Sequence, residues 1–314
     1  MRAAASAIEP VSFRAHAGAP AAFAEALGRS FEATGFAVIC DHGLDQARID
    51  VALAAARAFF ALPESVKLRY RAPGIAGQRG FTPFGIETAK GAAYHDLKEF
   101  WHVGRELPPG HPFRERMPDN VWPAEVPGFR EAMLWLYDAL ERLGDAALSA
   151  IARHLGLAPE YFGPTTRLGN SVLRLLHYPP APFDGPHVRA AAHEDINTIT
   201  LLLGAEEAGL ELKDRAGSWR PVDPPPGSIV CNIGDMLSRL TNGVLPSTTH
   251  RVVNPPPEGR ARARYSAPFF LHFAPDYLIE TLPRCVTAAR PDRFPTPITA
   301  DAFLEERLRE IRLK

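Results

Sequence analysis

The sequence has few cysteines and almost no net charge. Only three of its 314 residues are cysteine, namely Cys40, Cys231 and Cys285. They form no Cys-x-x-Cys pair, so we expect neither a disulfide framework nor a zinc–thiolate site. The 35 basic and 36 acidic side chains leave a net charge of −1. Proteins that bind nucleic acid or an anionic membrane surface carry an excess of positive charge, which this sequence lacks. We therefore expect neither as a partner.

Long hydrophobic runs are missing as well. The longest charge-free apolar runs, such as residues 198–205, are far shorter than the ~20 residues that a membrane-spanning helix needs. The alanine-rich N-terminus carries Arg2, Glu9 and Arg14 and lacks the apolar centre of a signal peptide. We therefore expect a cytoplasmic protein.

Proline is abundant, with 31 residues, and argues against an all-helical chain because proline donates no backbone hydrogen bond. Residues 1–125 alternate helix and short strand. A helix is predicted from Pro20 to Gly35, a strand over 36–40, a second helix capped by Asp45, and a glycine-rich loop over 71–91. A long helix with an apolar stripe then runs from Pro127 to about Gly156.

Short apolar or alternating runs dominate from about residue 168 to 275. The runs cover 172–178, 198–203, 210–213, 229–233, 248–253 and 265–273, with proline and glycine turns between them. This pattern is typical of a barrel or sandwich of short strands. An amphipathic helix over 301–312 follows. We predict a mainly β fold with flanking helices, in which an α-rich region (1–125) and a β-rich region (126–314) form one catalytic unit.

A His-x-Asp motif in the β-rich half is the first candidate site. His193 and Asp195 would share one side of an extended segment, and His250 on another strand would complete a triad. Two imidazoles and one carboxylate with open positions suit non-haem Fe(II). These three residues alone are also compatible with a surface His–acid pair and an unrelated histidine.

The strand after residue 263 carries a second candidate site. Arg264 and Ser266 would lie on one face, where a guanidinium fork and a hydroxyl can hold a carboxylate. Tyr178 would add a further hydroxyl. Such a group would bind the remote carboxylate of a dicarboxylic co-substrate. The alternative is that Arg264 is a solvated strand-edge charge, like the neighbouring Arg260 and Arg262.

Taken in order, the motifs resemble the isopenicillin-N-synthase-like branch of the Fe(II)/2-oxoglutarate-dependent oxygenases, over nearly the whole chain. The blocks that carry the resemblance are residues 35–44 (GFAVICDHGL), 79–87 (RGFTPFGIE), 96–100 (DLKEF), 175–179 (LLHYP), 193–195 (HED), 226–235 (PGSIVCNIGD), 240–243 (LTNG), 249–254 (THRVVN) and 264–270 (RYSAPFF).

The resemblance implies a double-stranded β-helix, or jelly-roll, core. It also implies a non-haem Fe(II) dioxygenase whose iron ligands are His193, Asp195 and His250. Its co-substrates would be O₂ and 2-oxoglutarate, with the 5-carboxylate of 2-oxoglutarate anchored by Tyr178, Arg264 and Ser266. The implied reaction converts 2-oxoglutarate to succinate and CO₂ while oxidising, by default hydroxylating, an unactivated C–H bond of a small molecule.

Relatives place substrate contacts just after the glycine-rich loop, which makes Lys98 and His102 candidates here, and Phe81 within the loop is a third candidate. Three other functions remain open. The first is an iron oxidase of the same fold that desaturates or closes a ring without consuming 2-oxoglutarate. The second is a metal-binding relative without activity. The third is a zinc hydrolase, which would need a base, and Glu194 is predicted to point away from the ligands.

Overall fold

The computed structural model describes residues 8–72, 77–86, 94–180, 188–204 and 208–310. Its helices are α1 (Arg14–Gly18), α2 (Pro20–Thr34), α3 (Gln46–Phe60), α4 (Glu64–Lys67), α5 (Phe129–His154), α6 (Gly163–Thr166), α7 (Asp235–Leu240) and α8 (Ala300–Glu310). Its strands are β1 (Pro10–Ser12), β2 (Phe36–Cys40), β3 (Gly80–Thr82), β4 (Glu99–Gly104), β5 (Val172–Tyr178), β6 (Ala190–His193), β7 (Ile199–Leu203), β8 (Leu210–Lys213), β9 (Trp219–Pro221), β10 (Ile229–Ile233), β11 (His250–Val252), β12 (Arg264–Leu271), β13 (Leu278–Ile279) and β14 (Ile298–Thr299).

Local sequence signals account for the ends of the first helices. Helix α2 begins at Pro20, whose fixed φ suits the first helical position. It ends at Gly35, which adopts the left-handed conformation with φ of 73°. At α3, the Asp45 carboxylate accepts hydrogen bonds from the backbone N–H groups of Ala47 and Arg48, as an N-cap does. These boundaries match the sequence prediction.

Two sheets face each other and form a jelly roll, as predicted. The larger sheet has the order β1-β2-β10-β7-β12-β5-β4-β3, and the smaller has the order β6-β11-β8-β9. Apolar side chains of both sheets meet between them, including Phe36 and Val230 from the larger sheet and Leu212 and Val252 from the smaller. Strands β2, β3 and β4 of the N-terminal region therefore belong to the same sheet as the predicted β core.

The outer face of the larger sheet is covered by helices. Helix α5 packs on β4, β7 and β12, and also against α2 and α3. The helix lies very close to the sheet at Gly144, where a Cβ atom would be 2.5 Å from Leu271 Cδ1 and 3.2 Å from Leu201 Cδ1. Glycine at this point allows the close approach.

Some elements differ from the sequence prediction. The segment predicted as a loop over 71–91 contains β3, whose three residues pair with β4, while residues 73–76 and 87–91 lie outside the described ranges. Strands β4 and β9 were not predicted, because their short runs lack clear alternation. None of the helices in the described part of the chain has the length and hydropathy required to cross a membrane.

Candidate active site

The structure brings His193, Asp195 and His250 together at one end of the barrel. One potential ligand atom from each residue lies within 4.8 Å of the other two. Asp195 Oδ1 is 3.8 Å from the Nε2 atoms of both histidines. Strands β6 and β11 are paired so that His193 lies directly opposite His250. Neighbouring strands therefore set the spacing of the two imidazoles.

Backbone carbonyl groups orient both imidazoles. His193 Nδ1 is 2.8 Å from the carbonyl oxygen of Ala191, and His250 Nδ1 is 3.1 Å from that of Thr248. Each Nδ1–H donates to its carbonyl, which leaves the Nε2 lone pair directed at the triad. Burial, followed by the charge of His250, lowers the pKa of His193 to about 4. The His193 imidazole is therefore neutral near pH 7, as a metal ligand must be.

Asp195 is held by hydrogen bonds to its second oxygen. Oδ2 accepts hydrogen bonds from Thr200 Oγ1 at 2.6 Å and from Asn232 Nδ2 at 2.8 Å. Burial acts to raise the pKa of Asp195, but the two histidines and these two donors outweigh it, and the pKa lies below its ordinary value. The carboxylate is thus ionised, with Oδ1 turned towards the imidazoles.

Asp195 does not share an extended strand with His193, contrary to the prediction from the His-x-Asp spacing. Strand β6 ends at His193, and Asp195 lies in the connection to β7 rather than on an extended strand. Strand alternation therefore does not place the two side chains together. Hydrogen bonds from β7 and β10 hold Asp195 instead. The exposed Glu194 accepts a hydrogen bond from Thr249 Oγ1 at 2.7 Å.

Asn232 provides a first prediction. Replacing Asn232 with alanine removes one of the two donors to Asp195 Oδ2, and we expect metal affinity to fall roughly 10–100-fold, as is usual when an outer partner of a ligand is lost. Titration with Mn(II) under anaerobic conditions measures this affinity. Asn120→Ala is the matched control, because the Asn120 amide binds the backbone of Gly104 in β4. Equal metal affinity in both variants would contradict the role given to Asn232.

The predicted carboxylate anchor is buried inside the barrel. Arg264 is 1% exposed, and its Nη1 lies 3.2 Å from Ser266 Oγ while its Nη2 lies 3.4 Å from the carbonyl oxygen of Gly204. Its Nε is buried without a hydrogen-bond partner among the described residues. The alternative of a solvated strand-edge charge is therefore wrong. A buried guanidinium with an unpaired N–H group suits an anionic ligand.

Tyr178 lies beside this guanidinium. It pairs with Arg264 across β5 and β12, and its ring centroid is 5.2 Å from the guanidinium carbon. Tyr178 is also buried and packs with Phe100 and Leu176. The structure thus brings together the three residues of the predicted anchor.

The candidate substrate residues separate into two groups. Lys98 and His102 are buried on the barrel side of the sheet. Lys98 donates a hydrogen bond to Asp96, and His102 Nδ1 donates to the Gly77 carbonyl oxygen. Phe81 is buried among core aromatic side chains such as Phe59, on the helix-covered side. Its position does not favour contact with a substrate.

Arg174 was not singled out from the sequence, yet it lies next to these groups. Its Nε–H donates to His102 Nε2 at 2.6 Å. Its guanidinium carbon is 4.3 Å from the ring centroid of Phe100 and 5.3 Å from that of Phe270. Phe270 is in turn paired with Thr200, the residue that binds Asp195. Arg174, Phe100 and Phe270 therefore form an aromatic and cationic surface, and the row of Phe270 and Thr200 links it to Asp195.

Comparisons with known proteins find family matches over both halves of the chain. Residues 8–125 match the family described as non-haem dioxygenase in morphine synthesis N-terminal, and residues 169–273 match the 2OG-Fe(II) oxygenase superfamily. The chain is 33% identical over 294 residues to the 2-oxoglutarate-Fe(II) type oxidoreductase hxnY of Emericella nidulans, covering 90% of this chain and 83% of that protein.

Two solved structures are similar along almost their whole length. One is from Caulobacter crescentus and is described as a 2OG-Fe(II) oxygenase family protein; it has 62% identity and a TM-score of 0.92, covering 98% of this chain and 100% of that one. The other is a full-length Neurospora crassa protein in complex with alpha-KG and thymine. It has 28% identity and a TM-score of 0.84, covering 96% of each chain.

Proposed function

The chain belongs to the Fe(II)/2-oxoglutarate-dependent oxygenase family, and we propose that His193, Asp195 and His250 bind its iron. The convergence of two imidazoles and one ionised carboxylate within 4.8 Å supports this assignment. The donor set fits non-haem Fe(II), because it fills one side of the metal and leaves positions for other ligands. When bound, iron supplies the oxidation of a C–H bond by O₂, coupled to conversion of 2-oxoglutarate into succinate and CO₂.

For the co-substrate we propose an anchor made of Arg264, Ser266 and Tyr178. The buried Nε–H of Arg264 and the Nη2–H on the same side of the guanidinium form a fork that can donate two hydrogen bonds to the 5-carboxylate. Ser266 Oγ lies beside the fork and offers a third donor. In the low-dielectric interior, this charge pairing is stronger than in water. The dependence on 2-oxoglutarate in the names of relatives favours this function over an oxidase that does not consume it.

The substrate that we propose is a small molecule with a flat or aliphatic body and an oxygen that accepts hydrogen bonds. Phe100 and Phe270 offer apolar area on the barrel side, and the guanidinium of Arg174 lies against both rings. Such a surface suits a body in contact with the rings and a carbonyl or carboxylate oxygen near Arg174. The complex of the Neurospora crassa protein with thymine, a flat carbonyl-bearing ring, supports this choice. Hydroxylation is the expected outcome.

Succinate release tests this function directly. Purified protein with Fe(II), 2-oxoglutarate and ascorbate is expected to form succinate slowly by itself. A panel of small carbonyl-bearing and carboxylate-bearing compounds should contain members that accelerate this release and gain one oxygen atom by mass spectrometry. A panel compound that is desaturated or cyclised, with no oxygen gained, would contradict hydroxylation but not the use of 2-oxoglutarate.

Arg174 provides a second prediction at this site. Arg174→Met keeps an apolar side chain against Phe100 but removes the donors, and we expect the KM of an accelerating substrate to rise about tenfold, the effect of a lost hydrogen bond to a charged group. Substrate-independent succinate release should stay near the wild-type rate. Arg29→Met, at an exposed arginine of α2, is the control. An unchanged KM in Arg174→Met would remove this residue from the substrate surface.

The cytoplasm is the compartment that we propose for this enzyme. Cys40, Cys231 and Cys285 are all free thiols, as is usual in a reducing compartment. We also propose that residues 1–125 and 126–314 act as one catalytic unit. In support, β2 from the first region pairs with β10 from the second, and β10 carries the Asn232 that binds Asp195.

A further inference from the structure

A buried ionic cluster lies on the helix-covered face of the larger sheet, outside the proposed site. Lys67 Nζ donates to both carboxylate oxygens of Glu99, each at 2.8 Å, and His177 Nδ1 lies 2.7 Å from Glu99 Oε1. The side chains of the three residues are only 8–12% exposed. We call Lys67, Glu99 and His177 the rear cluster. Lys67 and His177 are both paired with the carboxylate of Glu99, and such a buried network can fix one arrangement of the elements that carry it.

Aromatic side chains extend the rear cluster to a third strand. The His177 ring stacks on Tyr265 with a centroid separation of 4.7 Å and an interplanar angle of 15°. Phe60 of α3 contacts the His177 ring at 5.3 Å, and the guanidinium of Arg57 lies 5.5 Å from the Tyr265 ring. Side chains from α3, α4, β4, β5 and β12 therefore meet at this one place.

The rear cluster lies directly behind the 2-oxoglutarate anchor. Glu99, His177 and Tyr265 are paired across β4, β5 and β12. The residues that follow His177 and flank Tyr265 are Tyr178, Arg264 and Ser266. Since successive side chains of a strand point to opposite faces, the same short stretch of three strands carries the rear cluster on one face and the anchor on the other.

We propose that the rear cluster is a positioning device for 2-oxoglutarate. This inference rests on the anchor proposed above. The hydrogen bond from His177 to Glu99 ties β5 to β4, and the stacked Tyr265 ties β5 to β12. Together these contacts fix the register that places Tyr178 opposite Arg264. A slip by one residue would turn Tyr178 to the helix-covered face and take it away from the anchor.

Two substitutions of His177 each remove one of its two contacts, the hydrogen bond to Glu99 or the stacking on Tyr265. His177→Phe keeps an aromatic ring between Phe60 and Tyr265 but removes the donor to Glu99. His177→Asn restores an N–H donor near the Nδ1 position but removes the stacked ring. We expect the Kd of 2-oxoglutarate, measured by calorimetry with Mn(II) under anaerobic conditions, to rise about tenfold in His177→Phe, which loses the tie between β5 and β4, and to rise also in His177→Asn, which loses the stacked ring that ties β5 to β12.

The same variants also give a kinetic readout. In His177→Phe we expect the KM for 2-oxoglutarate to rise while kcat at saturating 2-oxoglutarate and the affinity for Mn(II) remain near wild type. Glu141→Gln is the matched control. It disrupts the ion pair of Glu141 with Arg105 at α5 and should change thermal stability without changing the Kd of 2-oxoglutarate. Should His177→Phe fail to fold, Glu99→Gln, which keeps the side-chain shape, is measured in the same way.

Arg264→Ala distinguishes failure of this inference from failure of the anchor. If Arg264→Ala loses 2-oxoglutarate affinity but folded His177→Phe binds it like wild type, the rear cluster has no positioning role and the anchor stands. If Arg264→Ala also binds like wild type, the anchor is wrong, and the positioning role is overturned with it. A parallel loss of Mn(II) and 2-oxoglutarate affinity in His177→Phe would indicate general destabilisation and would also overturn the inference.

Discussion

Replacing Asp195 with alanine is expected to lower turnover by at least about a thousandfold, beyond the 10–100-fold that is typical for loss of an outer partner of a ligand. The substitution removes the only carboxylate of the triad and leaves two imidazoles, which hold Fe(II) too weakly for turnover. It also removes the thermal stabilisation that a metal gives by binding only the native state. Succinate release and the shift in melting temperature with added Mn(II) measure the two effects.

The neighbouring Glu194→Ala is the control for this prediction. Glu194 is exposed and bonded to Thr249, so its loss should leave both readouts near wild type. The melting temperature without metal shows whether Asp195→Ala has folded. A folded Asp195→Ala protein that still gains stability from Mn(II) and releases succinate would show that the metal binds elsewhere.

Replacing Arg264 with alanine is expected to raise the Kd of 2-oxoglutarate about a hundredfold, which corresponds to ~2.7 kcal/mol. The loss of a buried two-pronged guanidinium removes two charge-assisted hydrogen bonds to the carboxylate. Arg264→Lys should have an intermediate effect, because lysine keeps the charge without the planar fork. Calorimetry with Mn(II)-loaded protein measures the affinity, and Mn(II) binding in the absence of 2-oxoglutarate should be unchanged.

Arg262→Ala is the control two residues earlier in the chain. Arg262 is exposed, so loss of its side chain removes a positive charge near the same strand without affecting the barrel interior. If Arg262→Ala and Arg264→Ala weakened 2-oxoglutarate binding equally, the effect would come from overall charge, and a specific anchor at Arg264 would be excluded.

Strand positions in the β-rich half were largely predictable from local sequence. Strands β5, β8 and β10 have the predicted bounds, because each apolar run ends at proline, glycine or aspartate turns. Strand β11 is shorter than predicted, at His250–Val252. Resemblance to a family, rather than periodicity, supplied the jelly-roll topology.

The polar network around the triad was not predictable in the same way. Asn232 lies in an apolar run, where a polar residue in a buried strand is the one signal of a buried hydrogen bond. Its partner Thr200 lies on β7, and Phe270 follows on β12 in the same row. These three residues become neighbours only through the strand order, which depends on pairings between distant parts of the chain.

Strand β2 shields an edge of the larger sheet that would otherwise be open. It covers one side of β10, whose five residues are all buried, and its residues Phe36–Ile39 pair with Asn232–Ile229. Without the N-terminal region, the backbone groups on that side of β10 would form an open apolar edge, and such edges join with other chains and aggregate. The N-terminal region thus covers an apolar edge of the barrel through which copies of the chain would otherwise join, a contribution that is separate from chemistry at the triad.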